Sequence, residues 1–333
     1  MFTWLQSDAF QLINYNISGG KRIRGALVPA AMEAFKSKQS TRKCHVREAH
    51  LIGWCIELIH AGFLVLDDIM DDSPVRRGKP SWFHTQQAAG YGLISVNDGI
   101  HLILTAKFLL YSIFDKSAEN DTVLLRIIRL FDEVCYKTCW GQNLDTIYSQ
   151  TMRSTAADST TNVDLDKYTW KNYEKITRWK TGFYTFYLPV ACGMALAGIQ
   201  EASCYDQAAN ILLKLGQYFQ AQDDFLDCFG DPTVTGKVGT DIVDGKCSWL
   251  VVTCLSKASE KQLQTIKESY GHKDPGAEAT VRRVFEELGL RDAFRKYEED
   301  MRAEIEHEVS NCDQINCSDL FEEIIQLLFG RVH

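Results

Sequence analysis

Prolines are scarce, six in 333 residues, so the chain has few of the breakers that punctuate a protein of many short strands. No stretch alternates convincingly between apolar and polar residues with period two, which argues against a sheet protein. No run of eighteen apolar residues occurs, and no charged region followed by an apolar one opens the chain; neither a transmembrane segment nor a secretory signal is expected. A basic excess is missing too. With a net charge of −8 and no lysine-rich face, the chain has little to neutralise a nucleic-acid backbone, and no nucleic-acid partner is expected. The eleven cysteines are odd in number and lack paired CxxC spacing, which supports neither a disulfide framework nor a structural zinc site. A reducing compartment, by default the cytoplasm, is the expectation. The opening MFTWLQSDAF reaches GGKRIRG almost at once, an abruptness expected of a chain that has lost an organellar leader or a further N-terminal helix.

What is present is ordinary in amount and unusual in arrangement. Hydrophobic residues make up 45% and charged residues 24%, enough for a substantial core. Apolar positions recur at spacings of three and four from Arg24 to Phe35, Val46 to Asp67, Leu102 to Phe114, Thr122 to Tyr148, Tyr173 to Gly198, Ala208 to Phe229 and Val281 to Val309. This period predicts an all-α protein. Breaks fall at Ser37 to Lys43, Ser73 to Pro80, Thr151 to Asp166 and Asp231 to Gly245, and the third, rich in Ser, Thr, Ala and Asp, reads as a surface loop. The motifs on its two sides complement one another, so residues 1–333 are read as one domain.

The chemistry concentrates first in LVLDDIMDDSPVRRGKPSW, from Leu64 to Trp82. On a helix Asp67, Asp68 and Asp71 share roughly one face, and three anions there call for a cation. Mg²⁺ answers, since it takes one or two carboxylates and completes its shell with water and phosphate oxygens; alone, the cluster reads equally as a helix end running into a solvated acidic turn. Arg76 and Arg77 follow directly and suit a phosphate-bearing ligand. Upstream, Gly19-Gly20-Lys21-Arg22-Ile23-Arg24 sets a glycine pair before a basic helix start, with Lys21 and Arg24 on one face; alone it reads equally as a solvated turn. His60 fits either a satisfied core histidine or a donor to phosphate. Gly62 and Phe63, a turn above the carboxylates, face the region an apolar tail would enter, or simply pack. Gly141, Gln142 and Asp145 interrupt an apolar helix, as do Lys180 and Thr181; a buried Lys180 must reach solvent or meet an anion.

Gln220 to Asp227, QAQDDFLD, repeats the DDxxD spacing with Asp223, Asp224 and Asp227, again ahead of a glycine-containing loop with lysines, here Lys237 and Lys246. Two such clusters on facing helices of a bundle would hold Mg²⁺ ions and a diphosphate between them.

These residues resemble the trans-isoprenyl diphosphate synthases, and most closely their eukaryotic, animal-type farnesyl diphosphate synthase branch. The resemblance runs from GGKRIRG through LVLDDIMDDSPVRRGKPSW, GQNLD, WKTGFYTFYLP and YFQAQDDFLDCFGDPTVTGKVGTDIVDGKCSWLVV and weakens after Tyr297. It implies a bundle of long antiparallel helices around a central cavity, usually homodimeric, that joins isopentenyl diphosphate to an allylic diphosphate. It also implies that Asp67 and Asp71, with Asp68, form the first metal motif. Asp223, with Asp224 and Asp227, forms the second, with several Mg²⁺ ions bridging the diphosphate and Mn²⁺ or Co²⁺ able to substitute. By the same resemblance Arg76, Lys180 and Lys237 contact the allylic diphosphate, and Lys21, Arg24, His60 and Arg77 the second diphosphate. Thr181 and Gln220 lie near the allylic carbon, and Lys246 is a further basic residue near the second motif.

Three departures stand out. Gly62-Phe63 replaces the aromatic pair typical of the animal enzymes, which should deepen the floor of the tail pocket and leaves C10, C15 and C20 products open. His60 stands where eukaryotic members usually carry glutamine. The end, Phe329 to His333, is less basic than the family's usual tail. A terpene synthase recruited from the family, ionising one prenyl diphosphate, and a non-catalytic subunit are the alternative readings. The second cationic set (Lys21, Arg24, Arg77) favours condensation over the first, and two intact aspartate motifs argue against the second.

Overall fold

The computed structural model describes residues 3–36, 45–114, 118–149, 163–231, 239–312 and 318–329. The fold is all-α, as the periodicity predicts, apart from one small hairpin among the described residues. Contacts group the residues into two compact units, each assembled from three stretches of chain, so no single linker divides them.

The first unit comprises residues 1–136, 184–210 and 312–320. It holds α1 (Thr3–Ile17), α2 (Ile23–Phe35), α3 (Val46–Met70), β1 (Val75–Arg76), β2 (Lys79–Pro80), α4 (Trp82–Ala88), α5 (Ile94–Ile113), the first part of α6 (Ala118–Ser149), and, beyond α7 (Trp170–Ile176), α8 (Leu188–Ala197). α3 is its axis. Ala49, Ile52, Ile56, Ile59 and Val65 are almost fully buried against α2 and α5, which are the helices α3 touches most. By length and composition α3 could also cross a membrane, yet 67% of its apolar window lies buried inside the protein, as in a core helix. It ends at Met70 with Asp71 as its C-cap, whose N–H donates to the Asp67 carbonyl. The hairpin follows, pairing Val75 with Pro80 and Arg76 with Lys79 around a two-residue turn. Both turn residues, Arg77 (φ 55°) and Gly78 (φ 72°), have the positive φ that such a tight turn requires.

The second unit comprises residues 137–183, 211–311 and 321–333. It contains the rest of α6, α7, most of the helical segment Thr177–Tyr187, and the greater part of α9 (Ala202–Phe229). Then come α10 (Trp249–Lys257), α11 (Glu260–Ser269), α12 (Pro275–Glu287), α13 (Leu290–Ser310) and most of α14 (Ser318–Phe329). Its core is aromatic: Phe225 stacks on Phe294 with ring centroids 4.3 Å apart, and Trp249 meets Phe294 edge-on at 5.2 Å.

Two sequence readings change here. The helix expected from Val281 to Val309 is two helices, because Gly289 (φ 64°) starts a new one after Leu288 ends the first. The run from Tyr173 to Gly198 is not uniform either. Its middle, Thr177–Tyr187, is a π-helix, a wider coil that turns over by one more residue per hydrogen bond and recurs at functional sites.

Candidate functional site

In the first unit the last turn of α3 presents Asp67, Asp68 and Asp71. Asp68 is 2% exposed, and its Oδ1 accepts from Arg76 Nε at 2.9 Å, while Arg76 Nη2 also reaches Asp67 at 3.3 Å. Burial pushes the Asp68 carboxyl up to about 6 in spite of Arg76, with Asp67 and Asp71 adding to the rise. The hairpin thus places a permanent cation on the carboxylates, and Arg76 is the counter-ion of the middle aspartate.

Arg77, on the turn itself, points elsewhere. Its Nη1 donates to the carbonyls of Asn16 (3.1 Å) and Ser18 (3.3 Å), closing the end of α1, and its Nη2 lies 3.4 Å from His60 Nε2. Arg24, in the first turn of α2, donates to Thr185 Oγ1 at 3.0 and 3.2 Å and to Tyr184 Oη at 3.2 Å. Beside it the Gly25 N–H donates to the buried Glu57 at 2.9 Å. Burial, reinforced by Arg24, Arg77 and Arg76, holds the His60 imidazole well below its ordinary value of 6.5, so it is neutral. Lys21 is exposed and lies before α2, which starts only at Ile23 after Arg22 with φ 53°; the shared helix face expected of Lys21 and Arg24 does not form.

Gly62 differs from its expectation. A Cβ there would fall 2.7 Å from both the Gly99 carbonyl oxygen and Ile103 Cγ1, so α5 itself occupies the space that an absent ring was expected to leave. Residue 62 is a close helix crossing. Phe63 is half-buried and meets the Tyr184 ring edge-on at 5.6 Å.

The second unit holds the second motif. Asp224 is fully committed to protein: Oδ2 accepts from the Tyr173 hydroxyl and the Trp249 N–H, each at 2.8 Å, and Oδ1 from Gln220 Nε2 at 2.9 Å. Burial raises its pKa against these three donors. Asp227 accepts the Asp241 N–H at 3.0 Å and so fastens the loop after α9. Thr181 Oγ1 donates to Gln220 Oε1 at 2.7 Å, making a relay from Thr181 through Gln220 to Asp224.

Lys180 meets an anion. Its Nζ lies 2.7 Å from Asp145 Oδ2, and Lys246 Nζ lies 2.9 Å from the same oxygen. Burial opposes ionisation of Asp145, but the two ammonium groups outweigh it and hold the carboxyl below its ordinary range. One turn earlier on α6, Gly141 lets the π-helix come close: a Cβ there would sit 2.1 Å from the Lys180 backbone nitrogen. The four-residue step from Gly141 to Asp145 therefore positions both the backbone and the ammonium of Lys180. Lys237 and the tail from Gly330 lie outside the described residues.

Sequence reasoning noticed Asp145 but gave it no role, and missed Tyr173, Tyr184 and Glu57. Asp145 carried a signal, a carboxylate in an apolar helix that needs a cation. The tyrosines carried none, being ordinary core aromatics by pattern.

The Polyprenyl synthetase family model matches residues 7–288. The chain is 41% identical over 321 residues to the farnesyl pyrophosphate synthase of Rattus norvegicus, covering 96% of this chain and 86% of that protein. It is 42% identical over 295 residues to that of Homo sapiens, covering 89% and 67%. Among solved structures, a T. brucei farnesyl diphosphate synthase complexed with the bisphosphonate BPH-722 superposes with a TM-score of 0.84 at 32% identity, covering 99% of this chain and 91% of that one. With the aspartate motifs, their counter-ions and these likenesses in hand, the chain belongs to the polyprenyl synthetase family.

Proposed function

We propose that this chain is a head-to-tail trans-prenyltransferase that condenses isopentenyl diphosphate with dimethylallyl or geranyl diphosphate and delivers farnesyl diphosphate. The observation that carries the reading is a second cationic group, Arg24 and Arg77 around neutral His60, separate from the Arg76 that neutralises the first aspartate motif. An enzyme that ionises a single prenyl diphosphate needs one such group; a condensing enzyme needs two. Relatives named farnesyl pyrophosphate synthases at about 40% identity support it.

Mg²⁺ fits the donor set. Asp67 and Asp71 of the first motif, and separately Asp223 of the second, would offer it hard oxygen donors. When bound, it neutralises charge on the diphosphate as the allylic C–O bond breaks. Lys180 and Lys246 share the single Asp145 carboxylate, so this trio carries one net positive charge, which suits a phosphate. Thr181 donates its own proton to Gln220, so toward an allylic carbocation its oxygen would offer only lone pairs. The isopentenyl alkene attacks that carbon, and the departing diphosphate takes the proton. Lys21, Arg24 and Arg77 hold the diphosphate that is retained.

The expected assembly is a homodimer. Ile100, Leu104, Phe108 and Tyr111 form an exposed apolar stripe along α5, with Phe108 75% exposed, and a second copy presenting the same stripe would cover it.

Incubation with Mg²⁺, dimethylallyl diphosphate and isopentenyl diphosphate, followed by chromatography of the dephosphorylated products, should give a C15 alcohol. A C20 product, or one that stops at C10, would overturn the farnesyl assignment.

A further inference from the structure

The side chains around His60 fix the direction of every hydrogen bond in their group. Arg77 has only donors, so its Nη2, 3.4 Å from His60 Nε2, requires a lone pair on that nitrogen. His60 is neutral and therefore carries its proton on Nδ1. Nδ1 lies 3.3 Å from the Tyr184 oxygen, so the imidazole donates and the phenol accepts. Arg24 Nη2 donates to the same oxygen from 3.2 Å, its guanidinium lying 4.8 Å from the centre of the Tyr184 ring. The Tyr184 oxygen thus accepts twice, and its own proton has no acceptor among the described residues. Tyr184 is 9% exposed, so a donor without an acceptor is costly there unless a ligand supplies one. The ring itself is fixed from two sides, by His60 stacked at 5.7 Å and Phe63 edge-on at 5.6 Å.

We propose that Tyr184 is a further binding residue, its hydroxyl donating to an oxygen of the diphosphate held by Arg24 and Arg77. This rests on reading that cluster as the isopentenyl diphosphate pocket. A pair of guanidiniums alone binds any polyanion. A fixed phenol among them adds a directional donor, and with it a preference for the oxygen geometry of one bound phosphate.

The test is calorimetric titration of the full chain with isopentenyl diphosphate, for the parent, Tyr184→Phe, Arg24→Gln and the double variant. Tyr184→Phe removes the hydroxyl and keeps the ring. A hydrogen bond to a charged oxygen predicts about tenfold weaker binding. The same factor should appear in the Arg24→Gln background, because the phenol acts on the ligand directly. Equal affinity of the parent and Tyr184→Phe would overturn the proposal while leaving the pocket in place. A Tyr184→Phe effect that vanishes once Arg24 is gone would also overturn it, since the phenol would then only position Arg24. A parent that fails to bind isopentenyl diphosphate at all, with thermal melting showing it folded, would refute the pocket itself.

Discussion

The two aspartate motifs share a spacing and differ in how the protein neutralises them. In the first, the buried middle aspartate, Asp68, is met by a guanidinium, Arg76, delivered by a hairpin only eight residues on. In the second, the buried middle aspartate, Asp224, is met by three dipoles, the Tyr173 hydroxyl, the Trp249 N–H and the Gln220 amide. The second unit does own cations, Lys180 and Lys246, but they are held on Asp145. In both motifs the middle carboxylate is a structural anchor, and the proposed metal ligands, Asp67, Asp71 and Asp223, flank it. The first anchor is an ion pair in which the cation has a second carboxylate, Asp67, to fall back on. The second is a set of directional hydrogen bonds and tolerates little.

The largest effect tests what the motifs have in common. Asp67→Ala and Asp223→Ala should each cost about 10²–10³ in turnover, the scale of a lost charge-stabilising group, with little change in melting temperature. If either variant retains near-parental turnover, the flanking aspartates are not the working ones. Next in size is Gly62→Phe. The ring would enter a crossing with no room for a Cβ, so urea unfolding should show a loss of about 1–3 kcal/mol or more. Unchanged stability would show that a hollow exists at residue 62 after all.

The anchors themselves separate in amide variants. Asp224→Asn turns an NH₂ toward at least one of three buried donors, and a loss of about 1–3 kcal/mol is expected. Asp68→Asn leaves Arg76 with Asp67 as its remaining carboxylate partner, so a smaller loss than at Asp224 is expected at pH 7. Equal losses would erase the distinction drawn between the two motifs.

The smallest effect concerns pH. His60 is surrounded by Arg24, Arg76, Arg77 and Tyr184, and its folded pKa lies below the unfolded value of 6.5. As pH falls through 6.5 the unfolded chain takes up a proton that the folded one refuses, so stability declines there. His60→Gln should flatten the melting temperature between pH 7 and pH 5 relative to the parent. An identical decline in both proteins would place the acid sensitivity elsewhere.

Much of this was legible in the residues. DDxxD reads from spacing alone, because four residues make one helical turn, and the helices read from their apolar period. Three features were not legible, each for a physical reason. The π-helix at Thr177–Tyr187 has no compositional mark, since residues 181–186 are all buried and so show no period that would tell a wider helix from an α-helix. Asp145 joins lysines 35 and 101 residues away, and only the folded chain brings such distant residues together. Gly62 read as a missing ring because a sequence shows which side chain is absent, not which neighbour moves into its place. The opposing Gly99, on another helix, is what closes the gap.

The most direct test of the central claim is a count of isopentenyl diphosphate consumed against inorganic diphosphate released, with geranyl diphosphate and Mg²⁺ present. Condensation through two diphosphate sites predicts one consumed for each released. Release of diphosphate with no consumption of isopentenyl diphosphate would contradict it and make the chain an ionising terpene synthase.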